Sequence, residues 1–189
     1  MKKSLGTKPV VTPLPVLIIA SYNDDGTANA MNAAWGGQCG AKHIALNLSP
    51  KHVTTDNIRR TNAFSVSFAD KKHLAESDYV GLVSAADEPD KLENAGLHAV
   101  KSENVDAPVI EEYPLTLECR VVSIRDELGE TRIVGEVVNV LADEELLNEE
   151  GKIDLGRMEA LVYDSPAHVY RVVGEKAGNA FRDGLALKK

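Results

Sequence analysis

Two short stretches of this chain carry residue types that packing alone does not call for. In Ala28-Asn29-Ala30-Met31-Asn32-Ala33-Ala34-Trp35-Gly36-Gly37, which holds the only tryptophan, amides alternate with very small side chains. Gly and Ala forgo side-chain contacts in a strand, and together they mark a bend, a bulge or the close approach of another group. The chemical reading is a flat ligand lying against backbone. The alternative is a bend with Trp35 as a partly buried core aromatic. The second stretch is Ser49-Pro50-Lys51-His52-Val53-Thr54-Thr55-Asp56-Asn57-Ile58. Ser stands where an N-cap belongs and Pro where the first helical residue belongs, so a helix is expected to open here. Its free N–H groups and positive dipole end suit a phosphate, with donors added by Lys51, His52 and the two threonines. An ordinary capped helix with a solvated Lys-His pair is the competing reading.

The elements that would hold these stretches read as β structure. An apolar strand is expected over Leu14 to Tyr22, followed by hairpin-turn chemistry at Asn23-Asp24-Asp25-Gly26 and a strand through Asn29. Gly36-Gly37 reads as a turn, Lys42 to Ser49 alternates as a strand, and Phe64, Val66 and Phe68 mark another. Residues 72–97 read as short helices broken at Glu88-Pro89 and stopped at Gly96. Two long β segments follow, Leu115 to Arg125 and Thr131 to Leu141, joined around Leu128-Gly129. The acidic run Asp143-Glu144-Glu145 suits a first helical turn, and that helix is expected to end at Glu149-Glu150-Gly151. Strands with short helices, without alternating βαβ units, predict an antiparallel barrel. No G-x-G-x-x-G run is present, which disfavours a Rossmann dinucleotide domain.

Four motifs occur in one order: N-x-M-x-x-x-W from Asn29 to Trp35, T-x-x-N-I from Thr54 to Ile58, D-Y-x-G-x-x-S from Asp78 to Ser84, and D-K with G-L from Asp90 to Leu97. Ala107-Pro108, Leu117-Glu118-Cys119, Gly135-Glu136-Val137, and Tyr170 with Gly174-Glu175 follow. In this order and spacing the chain resembles the flavin reductase-like family of FMN-binding split barrels, and within it the flavoredoxin-type branch, over roughly residues 12–184. It departs from the family pattern at His52, where Arg or Lys is common, and at Asn32, where Thr is common.

The resemblance implies a mainly β fold, an FMN-binding split β-barrel of Greek-key type with short helices, formed by residues 13–189 behind a lead-in of residues 1–12. It implies that Asn29, Met31, Asn32, Ala33 and Trp35 line the ring and ribityl chain, and that Ser49, Lys51, His52, Thr54, Thr55 and Asn57 serve the phosphate end. Lys91 would reach the phosphate or the ring edge where negative charge collects on reduction, unless it is simply an exposed partner of Asp90 at a helix start. Tyr163 and Tyr170 would stack near the ring, and a second subunit would complete the site in a homodimer. No catalytic triad is needed, because a flavin carries the redox chemistry itself.

Composition narrows the function further. At 189 residues and 43% hydrophobic the chain suits one compact domain. A net charge of -8 argues against nucleic acid and anionic membrane partners. No run approaches the ~20 apolar residues of a membrane span, and the Met1-Lys2-Lys3 start is followed by Gly, Thr and Pro, so a cytoplasmic location is expected. Cys39 and Cys119 form no C-x-x-C pair. Cys119 reads as a small buried thiol, and Cys39, after Gly36-Gly37 and beside the proposed flavin segment, as a candidate cofactor-adjacent thiol without a redox role. His73 and Glu76 share a helix face but do not make a closed zinc site. The favoured function is an oxidoreductase passing electrons from NADH or NADPH through bound FMN to a flavin or protein acceptor. The alternative is a non-catalytic FMN electron carrier reduced by another protein, and a third reading is a dimeric barrel whose pocket binds no flavin.

Overall fold

The computed structural model describes residues 1–188. Seven strands make one antiparallel sheet in the order β3-β2-β6-β9-β10-β5-β4: β2 (Leu17–Tyr22), β3 (Ala28–Ala33), β4 (Gly36–Gly40), β5 (His43–Leu48), β6 (Ala63–Phe68), β9 (Leu115–Glu127) and β10 (Glu130–Ala142). Strands β3 and β4 are the two edges of that sheet, yet only Ala34 and Trp35 separate them in the chain. So short a link obliges the sheet to curl until its edges meet, which is the barrel expected from the sequence. Trp35 stands at the closure, and its carbonyl accepts the N–H of Asn47 in the neighbouring chain segment.

The period of two in β2 divides the core. Leu17 and Ile19 point into the barrel with Leu46, Phe64, Val66 and Ile133. Val16, Ile18 and Ala20 point outward, against α2 (Leu74–Leu82), α3 (Lys91–Asn94), β8 (Pro108–Ile110) and β11 (Leu161–Asp164). A strand buried on both faces reads as a continuous apolar run, which is why Leu14 to Tyr22 carries no polar alternation. The two helices are separated around Pro89, and Gly96 takes φ +67, as their sequence predicted. The remaining strands and α-helices are β1 (Leu14–Pro15), α1 (Val53–Thr61), β7 (Ala99–Lys101), α4 (Leu155–Met158) and β12 (Val169–Val172), with 3₁₀ turns at Glu144–Leu146 and Asp183–Leu187.

Four expectations need correction. The Leu14 to Tyr22 run is two strands: Leu14–Pro15 joins β11, and Leu17–Tyr22 joins the main sheet. Pro13 and Pro15 lack the N–H that a continuous central strand needs. Helix α1 begins at Val53 with His52 as its N-cap, because Pro50 and Lys51 lie in a turn after β5. Gly36-Gly37 is the start of edge strand β4 and not a turn. A Cβ on Gly36 would lie 2.8 Å from Leu46 Cδ2, so glycine there permits close strand packing. Asp143-Glu144-Glu145 opens only a 3₁₀ turn, Glu144–Leu146, which ends before Glu149.

Candidate functional site

The barrel's closure corner, the start of α1 and helix α2 surround a cavity of about 820 Å³. Met31, Asn32, Ala33, Ala34 and Trp35 form one wall, from the end of β3. Asn47, Leu48, Ser49 and His52 bring the end of β5 and the N-terminus of α1 to the same space. Asp78, Gly81 and Leu82 come from one side of α2, at the i, i+3, i+4 spacing that makes helical neighbours. Tyr163, His168 and Tyr170 come from the β11–β12 hairpin, and Glu130 from the start of β10.

Gly81 lets α2 lie close to β3: a Cβ there would stand 2.7 Å from Asn32 Cβ. At that contact Asn32 Nδ2 donates to the carbonyl of Ser77 at 2.9 Å and approaches the Tyr170 hydroxyl at 3.4 Å. Tyr170 in turn donates to Asp78 Oδ1 at 2.7 Å. Burial, reinforced by the Asp78 carboxylate, pushes the Tyr170 hydroxyl up to about 12, so it stays a neutral donor near pH 7. The rings of Tyr163 and Tyr170 are 6.0 Å apart, and the Tyr163 hydroxyl lies 3.0 Å from His168 Nδ1. Trp35 is 61% exposed, so its ring faces open space rather than the core.

Behind the wall is a polar layer. Asn29 Nδ2 donates to Thr54 Oγ1 at 2.8 Å, while Asn29 Oδ1 is buried with no partner among the described residues. Thr55 Oγ1 donates to the carbonyl of Ser49 at 2.8 Å, tying α1 to the end of β5. Asn57 Nδ2 donates to Asn23 Oδ1 and Ser21 Oγ, tying α1 to the hairpin between β2 and β3. Ser49 Oγ accepts the N–H of Lys51 at 3.3 Å. His52, the N-cap, makes no side-chain capping bond, which leaves its imidazole directed to the cavity it lines.

Of the residues singled out from the sequence, the structure thus brings Met31, Asn32, Ala33, Trp35, Ser49, His52, Tyr163 and Tyr170 to one cavity. Asn29, Thr54, Thr55 and Asn57 are buried in the layer behind it, and Lys51 is exposed in the turn. Lys91 does not line the cavity and is not exposed beside Asp90. It is buried, and its ammonium donates to the carbonyls of Val80 and Val83, both at 3.2 Å, at the C-terminal end of α2. Asp78 and Gly81 sat in a motif the sequence displayed without disclosing their task. Asn47, Glu130 and His168 carry no local signal, since folding alone assembles them. Cys119 is buried and its thiol is pushed up to about 12 by burial, whereas Cys39 is exposed.

The family profile described as flavin reductase like domain matches residues 11–167 of the chain. The chain belongs to that family. Its fold is the split barrel. The flavoredoxin of Desulfovibrio vulgaris (Miyazaki F) is 32% identical, with 97% of this chain and 100% of that one covered at a TM-score of 0.92. The flavoredoxin from Methanosarcina acetivorans is 29% identical, with 99% of each chain covered and a TM-score of 0.89. An Aeropyrum pernix protein of unassigned function is 27% identical over 165 residues, 84% of this chain. This flavin reductase-like chain spans 61% of that relative's length. Among the described residues no helix is long and apolar enough to cross a membrane.

Proposed function

We propose that this chain is a cytoplasmic FMN-binding oxidoreductase that accepts electrons from NADH or NADPH and hands them to a flavin or protein acceptor. The observation that carries the reading is the 820 Å³ cavity, which has a small-residue wall on one side and a helix N-terminus on another. That volume is within the ~300–1,000 Å³ range of small-molecule sites. Its donors also fit a flavin phosphate: Ser49, His52 and the first N–H groups of α1 converge where an anion is stabilised by the helix dipole.

In this reading Met31, Asn32, Ala33 and Trp35 flank the flavin ring, and Tyr163 faces it from the hairpin. Asn29, Thr54, Thr55 and Asn57 hold the wall and α1 in register from behind, and Lys51 adds positive charge near the phosphate. Lys91 acts on α2 and not on the cofactor, because its ammonium is already engaged with two carbonyls. The neutral Tyr170, held by Asp78, fixes the side of the cavity without presenting charge to a ring that gains charge on reduction. FMN supplies the two-electron chemistry when bound, and the protein's part is to bind, orient and limit access.

A second reading, an FMN electron carrier reduced by another protein, is favoured by the similarity to two flavoredoxins. One experiment separates them. The purified protein should be yellow and release FMN on denaturation, as identified by mass spectrometry. Kept free of oxygen it should bleach on adding NADH or NADPH at a rate of roughly 1 to 1000 per second, that of typical turnover. Bleaching by dithionite alone would favour the carrier, and a colourless protein that takes up no FMN would end both readings.

A further inference from the structure

We infer that Arg132 makes this protein prefer a 2′-phosphorylated dinucleotide, NADPH, over NADH by holding that phosphate in a second cleft beside the first. The inference rests on the nicotinamide-donor reading above and goes beyond it. The second cleft encloses about 840 Å³ and shares Trp35, Asn47, Tyr163 and His168 with the first cavity, so the two lie side by side. Its apolar side is the segment before β1, with Val10 and Val11. Its charged lining is Lys8 and Arg132, with the imidazole of His168 beside them and no carboxylate. The chain as a whole is acidic, at -8, and the first cavity carries Asp78 and Glu130. A cleft whose only charged side chains are a lysine and an arginine, in such a chain, favours an anion.

Arg132 is the group best placed to read a phosphate. It lies opposite Asn47 in the β10–β5 register, in the row that continues to Trp35, whose carbonyl receives the Asn47 N–H. It is only partly exposed. Arg59, Arg60, Arg157 and Arg171 each pair with an aspartate; among the described residues Arg132, like Arg120, Arg125 and Arg182, has neither an ion-pair partner nor a side-chain hydrogen bond, and of these four it is the one that lines the cleft. An arginine without a counter-ion keeps its donors free for a ligand, and a planar fork matches a phosphate in two parallel hydrogen bonds. The row from Trp35 to Arg132 runs from the cavity that would hold the flavin to this guanidinium. A dinucleotide whose nicotinamide end reached the first cavity would leave its far, phosphate-bearing end in the second. Lys8 adds charge without a fixed geometry and is the lesser contributor.

The test uses the oxidised nucleotides, which bind without reacting. The whole FMN-loaded protein is titrated with NADP⁺ and with NAD⁺ by calorimetry, and Trp35 fluorescence is followed alongside because the only tryptophan lies where the two spaces meet. The wild type should bind NADP⁺ more tightly than NAD⁺. Arg132→Gln should weaken NADP⁺ by about ten- to hundredfold, the equivalent of a hydrogen bond to a charged group, and leave NAD⁺ nearly unchanged. Arg132→Lys should retain part of the preference, and Lys8→Gln should lower it only slightly. Equal loss of both nucleotides in Arg132→Gln, no loss of either, or no NADP⁺ binding by the wild type at millimolar concentration overturns the inference. Should Arg132→Gln not fold, the Arg132→Lys and Lys8→Gln titrations decide by the same criterion. Failure of the donor reading looks different: Arg132-dependent NADP⁺ binding with no anaerobic bleaching by NADPH would leave a nucleotide site on a protein that is not a reductase.

Discussion

Lys91 shows how far a residue's type can mislead about its task. A lysine beside an aspartate at a helix start reads as an anion ligand or a solvated pair, yet here it is 3% exposed and closes the end of α2. Burial lowers its pKa from 10.5 to about 8, since the charged form is the one that loses water. Below about 8 the lysine is protonated in both the folded and the unfolded chain, and folding carries the whole desolvation cost. Between about 8 and 10.5 the folded chain has released the proton while the unfolded chain still holds it, so stability rises with pH. Against Lys91→Met, which keeps the apolar stem, the wild type should gain about 1–2 kcal/mol between pH 8 and 9.5. Urea unfolding of both proteins at the two pH values measures it, and a difference that does not move with pH would show that the ammonium is better solvated than its burial implies.

Elements were legible from the sequence where a period or a turn residue governs them. The strands through Ile19, Phe64 and Leu117, the Asn23-Asp24-Asp25-Gly26 hairpin and the break at Pro89 follow from local rules that tertiary contacts do not reverse. Strand β4 and the β11–β12 hairpin were not legible, because Gly36-Gly37 has the composition of a turn and becomes a strand only by pairing with β5. The start of α1 was legible in kind and displaced in place, with His52 taking the cap position for which Ser49 is the better residue type. The displacement sets a prediction at the level of the helix. If the α1 N-terminus holds the phosphate, His52→Ala and Ser49→Ala should each weaken FMN by about ten- to hundredfold, as for loss of one hydrogen bond to a charged group. Riboflavin, which lacks the phosphate, should bind the variants and the wild type alike. Thr54→Ala is the informative contrast: Thr54 is buried against Asn29, so its loss should lower stability and weaken both ligands together. Equal losses of FMN and riboflavin in His52→Ala would move the phosphate away from α1.

For the whole molecule the argument turns on what the chain leaves uncovered. Leu5, before the barrel, and Phe181, Leu185 and Leu187, beyond β12, are strongly exposed, and Trp35 opens to solvent between two clefts. Single exposed apolar side chains are ordinary, but here large ones occur in both terminal segments, which otherwise contribute little to the buried core. A flat ligand against a wall of Ala33 and Ala34 would also leave one face open, whereas tight sites bury most of a ligand's surface. We therefore expect a two-fold dimer with FMN near its interface, in which the segment before Pro13 and the hairpin carrying Tyr163 lie close to the second subunit. Light scattering on the FMN-loaded protein should give twice the mass of 20.4 kDa. Dilution should release FMN in step with dissociation, because a cofactor that binds only the dimer stabilises it by mass action. A monomeric mass at concentrations where the flavin stays bound would mean that a single barrel suffices for the site, and the exposed termini would then need another partner.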